Sequence, residues 1–142
     1  MRILGVGIAT LDVVSIVDRY PPEDAEVRAH AREHRRGGNC ANSLAVLAQL
    51  GHAASWVGTV ADDPDSGLLL AAAAREGVDT GRRVVCPGGR TPVSHVLLSR
   101  ATGSRTIVHY RDLPELPAEA FAAVPLRGVD WVHFEGRNVP AL

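Results

Sequence analysis

Two adjacent glycines, Gly37 and Gly38, stand directly before an apolar run at helical spacing: Ala41, Leu44, Ala45, Leu47, Ala48 and Leu50. Gly51 follows where a helix-ending glycine belongs. Glycines at that place let a ligand approach the backbone closely, and the helix start offers unpaired N–H donors. Asn39 and Asn42 are three residues apart and share one face of the first turn. Each amide both donates and accepts hydrogen bonds, so this surface suits a small polyhydroxy ligand. An ordinary glycine turn with asparagine caps accounts for the same residues.

The flanking segments set the fold class. Ile3 to Ile8 is a short apolar run without helical period and predicts a buried, parallel strand. Val13 to Val17 predicts a second strand. Val27 to Arg36 predicts a third, exposed on both faces, because Val27, Ala29 and Ala31 alternate with Arg28, His30 and Arg32. After the helix, Ala53 to Val60 predicts a returning core strand. Asp62-Asp63-Pro64 predicts a helix start with Pro64 in its first position, and Gly77 its end. Arg82 to Val85, Thr91 to Ser99 and Arg105 to Tyr110 predict further strands, the last two joined as a hairpin by Ala101 to Ser104. Pro117 to Val124 predicts a short helix that offers Phe121 to the core, with Leu116 just before it. Val129 to Phe134 predicts another core strand. Strand and helix repeated at this spacing give an α/β class. Glu135, Arg137 and Asn138 then follow the carboxyl end of that strand, where open α/β sheets bind ligands.

Composition removes several functions. The 142 residues fit one domain, and 46% hydrophobic against 22% charged residues describes a globular chain. The net charge of −1 indicates no bulk attraction to nucleic acid. The arginines at 28, 32, 35 and 36 are interrupted by Glu26 and Glu33 and predict a solvated strand face. All fifteen basic residues are arginine, so a P-loop lysine and a Schiff-base lysine are both excluded within this chain. Phosphate binding would have to use arginine and backbone N–H groups. Gly5-x-Gly7 has Thr10 where a dinucleotide fingerprint needs its third glycine. The longest uncharged apolar stretch, Gly67 to Ala74, is too short to span a bilayer, and the first residues make a weak signal peptide. Two cysteines, Cys40 and Cys86, without a CxxC pair predict reduced thiols and a cytoplasmic location. His30 and His34 are spaced like a metal pair, but on a strand they would stand about 13 Å apart, so no metal site is expected.

The segment Gly7-Ile8-Ala9-Thr10-Leu11-Asp12-Val13-Val14 resembles the opening of the ribokinase-like (PfkB) sugar kinases. So does Arg36-Gly37-Gly38-Asn39-Cys40-Ala41-Asn42-Ser43, followed by Leu50-Gly51 and Val57-Gly58. Asp18 to Pro21, Gly103 to Ile107 and His133 to Asn138 look like segments of the family's ketohexokinase branch. The resemblance covers essentially the whole chain but only about the first half of the family's usual length. The second half normally brings a G-x-G-D motif with the catalytic aspartate, and no such motif occurs here.

The resemblance implies a central, mostly parallel sheet flanked by helices, with a small β lid from strands near 13–36 and 91–110. It implies that Asp12, Gly38, Asn39 and Asn42 contact the sugar and that Arg105 contacts ATP phosphates. Glu135, Arg137 and Asn138 are further candidates without an assigned role. The implied reaction is in-line transfer of the ATP γ-phosphoryl group to a sugar hydroxyl, the 1-hydroxyl of fructose for the ketohexokinase branch, with Mg²⁺ on the phosphates. The implied partner is a second copy, clasped through the lid. Two alternatives remain: a non-catalytic sugar-binding module, and a kinase for another acceptor such as ribose, adenosine or a sugar phosphate. A sheet of half the family's width would leave an open edge, so the isolated chain is expected to aggregate or associate.

Overall fold

The computed structural model describes residues 1–137 and 139–141. Its central sheet is parallel throughout, in the order β10-β1-β4-β6. Strand β1 is Arg2–Val6, β4 is Ala53–Val57, β6 is Val78–Asp79 and β10 is Trp131–Phe134. Successive β1 residues bury opposite faces, as a covered parallel strand must. Ile3 joins a cluster with Cys40, Leu44, Trp56, Leu69 and Val78. Leu4 and Val6 join Val57 on the other face, under Leu116, Phe121 and Val132.

Two helices cover the first face. Helix α1 is Asn39–Gln49 and α2 is Pro64–Arg75. Pro64 starts α2 as its sequence predicts, and the Asp63 side chain accepts the Ser66 N–H at 2.9 Å. The second face carries only a short helix, α3 (Ala118–Ala122). Phe121 and Phe134 meet there edge to face, with ring centroids 5.1 Å apart. A 3₁₀ turn, Val139–Ala141, ends the described chain. None of these helices is long and apolar enough to cross a membrane.

A second four-stranded sheet stands apart, in the order β3-β2-β8-β9. Strand β2 is Thr10–Val17, β3 is Ala31–Gly37, β8 is Arg90–Ser99 and β9 is Arg105–Asp112. It corresponds to the strands expected near 13–36 and 91–110, with residues 18–30 looping between its first two strands. A two-stranded ribbon, β5 (Thr59–Ala61) with β7 (Val84–Cys86), completes the fold.

Several boundaries differ from the sequence reading by two or three residues, as where β2 begins at Thr10 rather than Val13 and β10 at Trp131 rather than Val129, and three differences have a visible cause. Strand β1 ends at Val6 because Gly7 and Ile8 are drawn out of the sheet: Trp56 Nε1 donates to the Gly7 carbonyl at 3.0 Å, and the Ile8 N–H donates to Glu135 at 3.0 Å. The run from Ala53 to Val60 breaks at Gly58, where a Cβ would collide with the Trp56 ring and the Gly7 carbonyl. The exposed strand begins at Ala31 rather than Val27. His30 turns instead, its N–H donating to the Ile16 carbonyl and its ring paired with Asp18 at 2.9 Å. The two-residue strand β6 carries too little pattern to be read from sequence.

Candidate functional site

The carboxyl ends of β1 and β10 converge on the N-terminus of α1, and Gly38, Asn39 and Glu135 meet around that point. Gly38 forms the N-cap position of α1 with φ of 93°, a conformation that side chains rarely adopt. A Cβ there would also strike the Ile8 carbonyl, so the segment leaving β1 and the start of α1 pack this closely only because this residue is glycine. The Asp12 carboxylate lies directly over Gly37, in the space a Cβ would take. It accepts from Thr10 Oγ1 at 2.9 Å and is half-buried. Backbone pairing aligns Asp12 with Arg35 on one side and Ser94 on the other, and Ser94 with His109. This row crosses the second sheet, with Ser94 Oγ 3.1 Å from His109 Nδ1.

Asn39 and Asn42 do not cap the helix; no side chain fills that role at Gly38. The capping acceptor comes from the far end of the chain. Glu135 Oε2 accepts the backbone N–H groups of Ile8 at 3.0 Å and Cys40 at 3.3 Å. Its other oxygen accepts from Asn39 Nδ2 at 3.4 Å. One carboxylate thus ties the end of β10 to the end of β1 and the first turn of α1, where the macrodipole favours a negative charge. Asn42 is held from the opposite side, its Oδ1 accepting from Arg36 Nη1 at 2.7 Å. Burial pushes the Cys40 thiol up to about 12, and the adjacent Glu135 carboxylate adds to the rise. Cys40 is therefore a core residue here, not a nucleophile.

Glu135 also borders a cavity of about 80 Å³, lined by Gly7, Ile8, Thr59, Phe121 and Arg111 among others. Arg111 is nearly buried. Its Nε donates to the Leu113 carbonyl at 3.0 Å and its Nη2 pairs with Glu115 at 3.2 Å. Its Nη1 is buried with no partner among the described residues. Arg137 reaches the same Glu115 at 3.2 Å. Sequence reasoning missed Arg111, Glu115 and the inward turn of Arg36; nothing in their local pattern separates them from the solvated arginines around them.

Arg105 is not brought to this cluster. It opens β9 opposite Leu98 and is exposed, four residues before His109 in the Asp12 row. That places it about 13 Å along the strand. Asn138 lies outside the described residues. Among the described residues no three His, Cys, Asp or Glu side chains are grouped to hold a metal ion.

Residues 2–130 match the pfkB family of carbohydrate kinases. The chain is 38% identical to ketohexokinase of Mus musculus over 138 residues, 96% of this chain and 46% of that protein. It is 33% identical over 98 residues to the ATP-dependent ribose-1-phosphate kinase of Halopiger xanaduensis, 69% of this chain and 33% of that one. Its fold superposes on ribokinase from Giardia lamblia with a TM-score of 0.76 at 17% identity, covering 94% of this chain and 44% of that structure. The chain thus spans less than half the length of the relatives it matches.

Proposed function

The chain belongs to the pfkB family of carbohydrate kinases and has the ribokinase-like α/β fold, and from that premise we propose that it forms the sugar-binding half of an ATP-dependent ketose kinase acting on the 1-hydroxyl of fructose. The observation that carries this reading is that polar groups flank Gly38 on both sides: the Asp12 carboxylate lies over Gly37, and Glu135 meets Asn39 and the Cys40 N–H.

Each residue has a chemical task there. The Asp12 carboxylate, spending one oxygen on Thr10, accepts hydrogen bonds from neighbouring sugar hydroxyls. Gly38 brings the backbone against the ligand. The Asn39 and Asn42 amides fix the hydroxyl positions. A site built this way rejects deoxy analogues, because each unmatched buried polar group costs about 1–3 kcal/mol. Glu135 holds the frame on which these groups sit.

Arg105 is the residue this reading offers to the phosphate chain, although it stands apart from the sugar-facing groups. Arg105 is an exposed guanidinium with no ion pair among the described residues, free for charge-assisted bonds. ATP, with Mg²⁺ carried on its phosphates, supplies the phosphoryl group when bound. The contribution of this chain is to position the acceptor hydroxyl for in-line attack. Proton removal from that hydroxyl is assigned to the G-x-G-D aspartate of the family, which is not among these 142 residues. We place the kinase in the cytoplasm, given two cysteines that form no disulfide.

The second sheet fits the role of a lid. Its outer strand β9 exposes Ile107, Val108 and Tyr110, an apolar edge suited to a second copy. A reading in which the acceptor is ribose or a ribose phosphate draws on the similarity to the Halopiger enzyme. A panel of fructose, ribose, ribose 1-phosphate and adenosine with ATP, assayed for ADP release by the protein that carries this chain, separates the two. Turnover greatest with fructose supports the ketose reading, and turnover greatest with another acceptor replaces it.

A further inference from the structure

Arg36 breaks the pattern of its own strand. Ala31 to Arg35 are exposed, yet the Arg36 side chain retains only 6% of its surface. Burying a guanidinium is costly unless its donors are spent. Two are spent on groups from different elements: Nε donates to Glu76 at the end of α2, and Nη1 donates to Asn42 Oδ1 at 2.7 Å. The bond to Glu76 is enough to anchor the strand on the helix. The bond to Asn42 is of another kind, because Asn42 is exposed at the mouth of the site.

A guanidinium donates and never accepts. The oxygen of the Asn42 amide must therefore face Arg36, and its NH₂ must face away. The amide loses its freedom to flip. Glu135 imposes the opposite sense on Asn39: the carboxylate takes an Nδ2 hydrogen, which leaves the Asn39 oxygen unspent. Two asparagines one turn apart thus present opposite chemistry, an acceptor at Asn39 and a donor at Asn42.

We propose that Arg36 is a positioning residue of the sugar site, locking the Asn42 amide with its NH₂ outward so that this corner donates to a ligand oxygen. The ligand's identity rests on the ketose-kinase reading. The orientation of the amide does not.

A double-mutant cycle tests it. Fructose affinity is measured by calorimetry for the chain, for Arg36→Met, for Asn42→Ala and for the double variant. Loss of a charge-assisted bond that orients a ligand contact is expected to weaken binding about tenfold. Arg36→Met should show that loss alone, and less than about a threefold further loss on top of Asn42→Ala. Arg36→Lys, which reaches one partner but not both, should recover part of it. An equal loss with and without the Asn42 amide would mean that Arg36 only supports the fold, and would overturn the proposal. If Arg36→Met does not fold, Arg36→Lys takes its place in the same cycle with the same two outcomes. If the wild-type chain binds no sugar, the reading of this chain as the sugar-binding half fails by itself. The Asn42 side-chain amide signals in ¹⁵N NMR then decide: displacement by Arg36→Lys supports the locking, and unchanged signals overturn it.

Discussion

Glu135 and Cys40 are 95 residues apart in sequence, yet Glu135 Oε2 accepts the Cys40 backbone N–H at 3.3 Å. The same oxygen takes the Ile8 N–H. The last strand of the sheet therefore terminates the first strand and caps the first helix. The glycine turn at Gly37-Gly38 is positioned by a carboxylate from the other end of the chain, not by caps of its own.

Glu135→Ala should leave both N–H donors without a partner. Each such group costs about 1–3 kcal/mol, so the variant should lose about 2 kcal/mol or more of unfolding free energy. Glu135→Gln keeps an acceptor oxygen and should lose less. Urea midpoints at constant slope check this; a Glu135→Ala midpoint equal to wild type would remove the capping role.

Cys40 gives the chain an alkaline limit. Its thiol is raised from 9.0 to about 12 in the folded protein by burial, then by Glu135. Between those values the unfolded chain has lost the proton and the folded chain holds it, so stability falls as pH rises through the window. Cys40→Ala should flatten this slope between pH 9 and 12 in thermal unfolding scans, after correction for its cavity. A slope unchanged by the substitution would place the alkaline loss elsewhere.

Asp63 sets an acid limit by the opposite sign. Burial raises its carboxyl, but hydrogen bonds from Thr91 and Ser66 outweigh that and hold it below the ordinary 3.8. Its stabilisation is present above 3.8 and is lost as pH falls through the lower folded value. Because Thr91 stands in β8 and Ser66 in α2, Asp63 also fastens the second sheet to the core. Asp63→Ala should cost about 1–2 kcal/mol at pH 7. The gap to wild type should narrow as the pH is lowered below 3.8, and a gap constant with pH would show that the charge contributes nothing.

The exposed edge of β9 should carry self-association. Sedimentation at rising concentration should show a dimer, and Val108→Glu, on a residue 65% exposed, should return it to monomer without lowering its melting temperature. A wild-type monomer at high concentration would remove the lid-to-lid contact.

Local pattern carried most of the fold. Helix α1 lies between Gly38 and Gly51, and α2 starts at Pro64, because caps, prolines and apolar spacing act within a few residues. Asp12 is grouped with Gly38, Asn39 and Asn42 only through the resemblance to a family, since nothing in its own local pattern marks it. What the sequence did not show was the capping role of Glu135, because a cap from 95 residues away has no local signature. The sequence reading puts Arg36 on a solvated strand face, whereas its side chain is 6% exposed, and it does not single out Arg111: an arginine's sequence context does not say whether its guanidinium turns inward. Gly58 broke a strand that its neighbours alone would continue, since the close neighbour there, the Gly7 carbonyl, comes from the distant segment that follows β1.

The central claim is that the α1 N-terminus and Asp12 form a sugar site. Calorimetric titration of D-fructose into the chain tests it most directly, with Asp12→Asn as the control. The account predicts saturable one-to-one binding that weakens about tenfold or more in Asp12→Asn at unchanged melting temperature. Absence of saturable binding by the folded wild-type chain, or equal binding by Asp12→Asn, would contradict it.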